Sequence, residues 1–164
     1  MQKIYIAGFD VFKKDSLSLG KKYKQLCAKY GFEGLYPLDN EVDFSRGKQQ
    51  AAQSIFLANK KMIQEADIVI ANLNPFRGYE SDSGTVWECG YGYGLGKKVY
   101  GYLDNIQPYK ENFGTEAFCK DGVLYDREGM VIEDFDYPLN LMISCSVTGL
   151  VAGGFEDVLK EICA

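Results

Sequence analysis

The sequence predicts an α/β fold, a doubly wound, mainly parallel sheet with helices on both faces, and three observations carry that prediction. Short apolar runs read as strands buried on both sides: KIYIAG at 3–8, DIVIANL at 67–73 and KKVYGYL at 97–103. Longer segments between them place apolar residues at helical spacing. The alternation βαβαβαβ, with connections of this length, is what parallel crossovers require. A chain of 164 residues suits one compact domain spanning 1–164 with a single core.

Taken in order, 3–8 is the first strand. SLGKKYKQLCAKYG at 18–31 carries Leu19, Tyr23, Leu26, Cys27 and Tyr30 on one helical side, with Gly31 as its stop. FEGLYPLD at 32–39 reads as a second strand ending in a proline turn. The segment 45–66 reads as a long helix with Ile55, Phe56, Asn59, Met62 and Ile63 on neighbouring faces, and 67–73 as the third strand. A helix at about 83–96 and a fourth strand at 97–103 follow. Beyond these, 122–135 reads as a hairpin turning at Asp126–Gly129, and 138–147 and 155–163 read as two final helices.

Composition excludes several functions. Net charge is −5 and no Lys/Arg run exceeds two, which argues against a polynucleotide partner. Five cysteines, odd in number and without a C-x-x-C pair, argue against a disulfide framework or zinc knuckle. No apolar run approaches the ~20 residues of a membrane span and no secretory signal is evident, so the expected location is the cytoplasm. The absence of histidine removes Ser-His-Asp and Cys-His nucleophile systems and most zinc sites. Carboxylates, amides and phenols are left to do any chemistry.

In doubly wound sheets, ligands sit beyond the carboxyl ends of the strands, which directs attention to 8–12, 37–41 and 74–82. The stretch ESDSGTVWECGYGYGLGKKVYGY at 80–102 then raises Glu88 and Asp82. Its glycines do not form G-x-G-x-x-G and precede a strand rather than follow one, so they suit close packing better than phosphate cradling. Thr85-Val-Trp-Glu88 matches a capping box, in which Glu88 reaches back to the backbone. The alternative places Glu88 near a helix N-terminus, kept ionised by the dipole, as a nucleophile. Asp82 is six residues earlier, about 240° around a continuous helix, so the two carboxylates converge only if Asp82 lies in the preceding loop; the alternative makes it a helix N-cap or a surface loop charge. Tyr5 is expected to point inward from the first strand, as core or as a partner to the site. Asn59 and Asn140 are amides framed by apolar residues, each either tying down local backbone or meeting a ligand.

Together IYIAG, YPLDN, ADIVIANLNPFRG, the 80–102 stretch and YPLNLM resemble the nucleoside 2-deoxyribosyltransferase family almost end to end. The resemblance implies a flavodoxin-like fold, dimers or hexamers, and exchange of the base on a 2′-deoxynucleoside with a free nucleobase, without metal or organic cofactor. It implies Glu88 as nucleophile, Tyr5 as the tyrosine that orients it, and Asp82 as the holder of deoxyribose hydroxyls. It implies that Asn140 serves a neighbouring subunit's site, and that Asp10, Phe12 and Asn40 border the base. Asn59 stands where some members have an aspartate that handles the base, and Phe9 replaces a common proline. The other readings are hydrolysis of deoxynucleosides or their 5′-monophosphates, and a non-catalytic nucleoside-binding module.

Overall fold

The computed structural model describes residues 1–45 and 47–164; Arg46, inside the predicted helix 45–66, lies outside the described residues. The central sheet has five parallel strands: β1 (Lys3–Ala7), β2 (Glu33–Leu35), β3 (Ile68–Asn72), β4 (Lys98–Leu103) and β7 (Gly149–Ala152), in the order β2-β1-β3-β4-β7. The chain runs outward from β1 to β2, then returns past it to β3, so the order reverses beside β1. That reversal opens the crevice in which such sheets bind ligands.

Alternation along each strand divides the core in two. Tyr5 and Ala7 of β1, with Val69 and Ala71 of β3, face α2 (Lys48–Glu65), α3 (Ser83–Gly94) and the short α4 (Leu141–Ser144). Ile4 and Ile6, with Ile68 and Ile70, face α1 (Ser16–Lys29) and α5 (Phe155–Cys163). Residues of period two, packed on both sides, explain why the strands read as continuous apolar runs. Among the described residues, no helix is long and apolar enough to cross a membrane.

Several expectations change. The segment 138–147 is not one helix: Asn140 caps a single turn, Leu141–Ser144, and the chain then enters the fifth strand, β7. That strand is four residues long and flanked by glycines, too short to declare itself without its parallel partner β4. The predicted strand 32–39 pairs only over Glu33–Leu35, because Pro37 opens a 3₁₀ turn at Pro37–Asp39. The hairpin is also displaced. β5 (Phe118–Lys120) pairs with β6 (Val123–Tyr125) across Asp121–Gly122, both at positive φ as a type I′ turn demands. The predicted turn at Asp126–Gly129 leads only to an isolated bridge between Tyr125 and Val131.

The glycine run sits on α3 and its tail, and only one of its faces is used for packing inside the chain. A Cβ at Gly92 would come within 2.8 Å of Val69 Cγ2 on the buried β3, whereas Gly90 and Gly94 meet nothing within 4 Å. Gly92 thus lets α3 lie close on the sheet, carrying Glu88 down toward β1. Gly90→Ala should raise stability by about 0.5–1 kcal/mol through helix propensity. Gly92→Ala should lose that gain to overlap and be destabilised instead. Chemical denaturation of the two variants checks the contrast.

Candidate active site

A cavity of about 540 Å³ opens at the carboxyl edge of the sheet, between the loops after β1 and β2 and the facing sides of α2 and α3. Gly8, Val11 and Phe12 line it from the end of β1, and Pro37, Leu38, Asn40, Val42 and Phe44 from the segment after β2. Ile55 and Asn59 come from α2, and Asp82, Gly84, Thr85 and Glu88 from the start of α3. Gly8 makes this edge possible: its φ is +154°, and a Cβ there would lie 2.8 Å from Asn72 Cβ.

Glu88 is joined to the sheet from below. The Tyr5 hydroxyl donates to Glu88 Oε1 at 2.5 Å, from a side chain with no exposed surface. Burial pushes the Glu88 carboxyl up to about 7, against the Tyr5 hydrogen bond, which lowers it; the nearby Asp82 charge raises it further. Burial, and then the Glu88 charge, drive the Tyr5 phenol far above its ordinary value, so it stays a donor.

The capping expectation for Glu88 is overturned, with a clear local reason. Asp82 is the N-cap of α3, in extended conformation, and its Oδ2 accepts from Thr85 N at 2.9 Å and Thr85 Oγ1 at 2.8 Å. Thr85 is therefore the third residue of the helix rather than its cap. Glu88 is one turn further in, where desolvation rather than the helix terminus governs its charge. Asp82 lies ahead of the first helical turn, the condition under which the two carboxylates converge, and both line the cavity.

The other predicted residues divide. Asn40 lines the cavity, with its amide donating to Pro37 O at 3.1 Å. Asn59 also lines it, and its Oδ1 is buried without a hydrogen-bond partner. Phe12 lines it while 61% exposed, its ring stacked on Phe76, which also stacks on Phe9. Asp10 does not face the cavity, a correction to its placement beside the base. It lies in the 3₁₀ turn Phe9–Phe12, where successive side chains are about 120° apart, so aiming Val11 and Phe12 inward turns Asp10 toward β3. There its buried carboxylate accepts from Asn72 Nδ2 at 2.9 Å and pairs with Lys13 at 2.6 Å, fastening the loop that carries Phe12.

Asn140 is likewise absent from the cavity of its own chain. It caps α4, accepting from Met142 N at 2.9 Å, and its amide donates to Glu133 Oε1 at 2.7 Å. Several contributors carried no site role in the sequence, Val42 and Phe44 among them. Thr85 was readable as a capping residue but with the roles reversed. Ile55 carried only a helical periodicity that looked like core. Phe76, with the Arg77 guanidinium 4.6 Å from its ring centroid, lay within the 74–82 segment and the ADIVIANLNPFRG resemblance, neither of which gave it a role of its own.

Comparison with known proteins bears on the same segments. Residues 4–142 match the family described as nucleoside 2-deoxyribosyltransferase. A solved 2-desoxiribosyltransferase from Leishmania mexicana is 30% identical, covers 99% of this chain and 97% of its own, and superposes with a TM-score of 0.77. A 2-deoxyribosyltransferase from Bacillus psychrosaccharolyticus is 26% identical, covering 96% of this chain and 90% of its own, with a TM-score of 0.61. An uncharacterised protein of Schizosaccharomyces pombe is 26% identical over 171 residues, spanning 94% of this chain and 80% of that one. The family match runs from the strand that supplies Tyr5 to the helical turn after Asn140 and includes every lining residue of the cavity, so the chain belongs to the nucleoside 2-deoxyribosyltransferase family.

Proposed function

We propose that the protein transfers the 2-deoxyribosyl group of a 2′-deoxynucleoside from one nucleobase to another, with retention, through a covalent intermediate on Glu88. The observation that carries this reading is the Tyr5–Glu88 pair at the wall of a cavity of nucleoside size. With Oε1 held by Tyr5, Oε2 is free to approach C1′. As the base departs, C1′ acquires oxocarbenium-like charge, which a close carboxylate stabilises before capturing the sugar. A second base entering the vacated space releases it from the same face. Asp82 accepts from a sugar hydroxyl with the oxygen that Thr85 leaves unengaged. Asn40, Asn59 and Phe12 contact the base, and Asp10 acts indirectly, by holding the loop of Phe12.

Glu88→Gln should lose at least about a hundredfold in base exchange, because no other group supplies a covalent oxygen at C1′. The wild-type rate should rise tenfold per pH unit below about 7, as Glu88 ionises. Tyr5, Asp82 and Cys89 are the titratable groups facing it, and the two tyrosine and cysteine groups remain protonated over that range.

The same shift makes a stability prediction. The folded carboxyl holds its proton up to about 7 and the unfolded one only to 4.5. Its contribution is therefore full below 4.5 and is lost as pH rises through 7. The ionised form then costs the fold about 3 kcal/mol. Glu88→Gln keeps an acceptor for Tyr5 without the charge, so it should melt higher than wild type at about pH 8 and converge with it in acid. Thermal melts across pH check this. A loss of stability with loss of activity would return Glu88 to a structural role.

Because Asn140 does not line the cavity of its own chain, we propose that it serves the site of a neighbouring subunit in a dimer or hexamer. Asn140→Ala and Glu88→Ala variants, each inactive, should regain activity when mixed under conditions of subunit exchange. Hybrid assemblies then contain a site with both side chains intact. No recovery in mixtures shown to exchange would assign Asn140 to capping alone.

A further inference from the structure

The lining of the cavity holds two titratable side chains among the described residues, Glu88 and Asp82, and both belong to its sugar end in the reading above. The remainder is backbone, aliphatic and aromatic side chains, Thr85, and the amides Asn40 and Asn59. Neither carboxylate is free to protonate a base. Glu88 is committed to C1′, and Asp82 is held as an acceptor by both the amide and hydroxyl of Thr85. The phenol of Tyr5 lies beneath Glu88, off the lining. Asn40 spends its amide on Pro37 O. Among the described residues, Asn59 lines the wall without a side-chain hydrogen bond, its Oδ1 buried and its amide nitrogen left to meet a ligand.

Resting on the transferase reading, we propose that this chain expels its nucleobase without a general acid. Asn59 grips the departing base as a neutral amide, and the preferred donors are 2′-deoxynucleosides of the more acidic bases. The C1′–N bond breaks with its electron pair passing to the base nitrogen, while the Glu88 carboxylate forms the C1′–O bond. The base departs as an anion. The Asn59 N–H donates to the atom where charge gathers without giving up its proton. Water at the mouth of the cavity protonates the base after it has left. A general acid ordinarily contributes about 10²–10⁴-fold and levels differences between leaving groups. Its absence leaves those differences in the rate.

The test is single-turnover release of base from the 2′-deoxynucleosides of 6-chloropurine, hypoxanthine, adenine and cytosine, in order of decreasing N–H acidity. Rates should fall along the series by at least about a hundredfold. The pH profile with deoxyadenosine should rise through the Glu88 ionisation and then stay level, with no descending limb. Asn59→Asp introduces a carboxylic acid at the same place. It should speed release of cytosine by at least about tenfold and turn the level profile into a bell. Equal wild-type rates along the series, or a bell-shaped wild-type profile, would overturn the proposal while leaving the transferase reading intact. No release of base from any of the four would overturn the transferase reading itself, and this proposal with it.

Discussion

A phenol buried under a carboxylate sets the terms for the rest of this molecule. Tyr5 projects from the strand beside which the sheet order reverses, and its hydroxyl reaches a carboxyl on α3 at 2.5 Å. That contact needs α3 close to the sheet, which Gly92 permits, and it needs Glu88 in the helix interior rather than at its cap. It also takes Glu88 out of water, at a cost seen in the upward shift of its carboxyl to about 7. A carboxylate exposed on the helix surface would be more comfortable and less useful. Largely removed from water, a carboxylate in the proposed role would be a stronger partner for positive charge developing beside it.

Asp82 shows how one residue reconciles local and functional demands. The amide groups at the start of α3 need an acceptor, and Asp82 supplies one oxygen to the Thr85 backbone and hydroxyl together. The same bonds fix the carboxylate at the cavity wall without any packing around it. Asp10 plays the complementary part on the other side of the loop after β1. Its bond from Asn72 is buried and ties the loop bearing Phe12 to β3, while its ion pair with the half-exposed Lys13 closes the same loop from the solvent side.

The α2 wall is built differently. Only Ala51 and Ile63 of this helix are buried, while Ile55, Phe56 and Leu57 remain substantially exposed. Ile63, near its carboxyl end, belongs to the core on the sheet, while Ile55 and Asn59 on the middle turns line the cavity. The apolar face that periodicity assigned to the core is therefore partly a cavity wall. Asn59, a half-buried amide in this apolar setting, has its Oδ1 buried without a partner.

By itself the sequence determined the strands β1, β3 and β4, the helices between them and the doubly wound class, because residues buried on both faces leave an unbroken apolar run. It also marked Glu88, Asp82, Tyr5, Asn40, Asn59 and Phe12 through motif resemblance and position after strands. What it left open was decided by contacts between distant segments. Of the two caps the pattern offered for α3, Asp82 prevailed over Thr85, its Oδ2 meeting the free Thr85 amide only three residues away. β7 became a strand only by pairing with β4, and Asp121–Gly122 rather than Asp126–Gly129 closed the hairpin through the partners on each side. Asp10 left the cavity because a 3₁₀ turn spreads its side chains over three directions, and Asn72 and Lys13 were waiting on one of them. Local pattern records which surfaces must be buried; which groups then face one another is settled only when the sheet order brings them together.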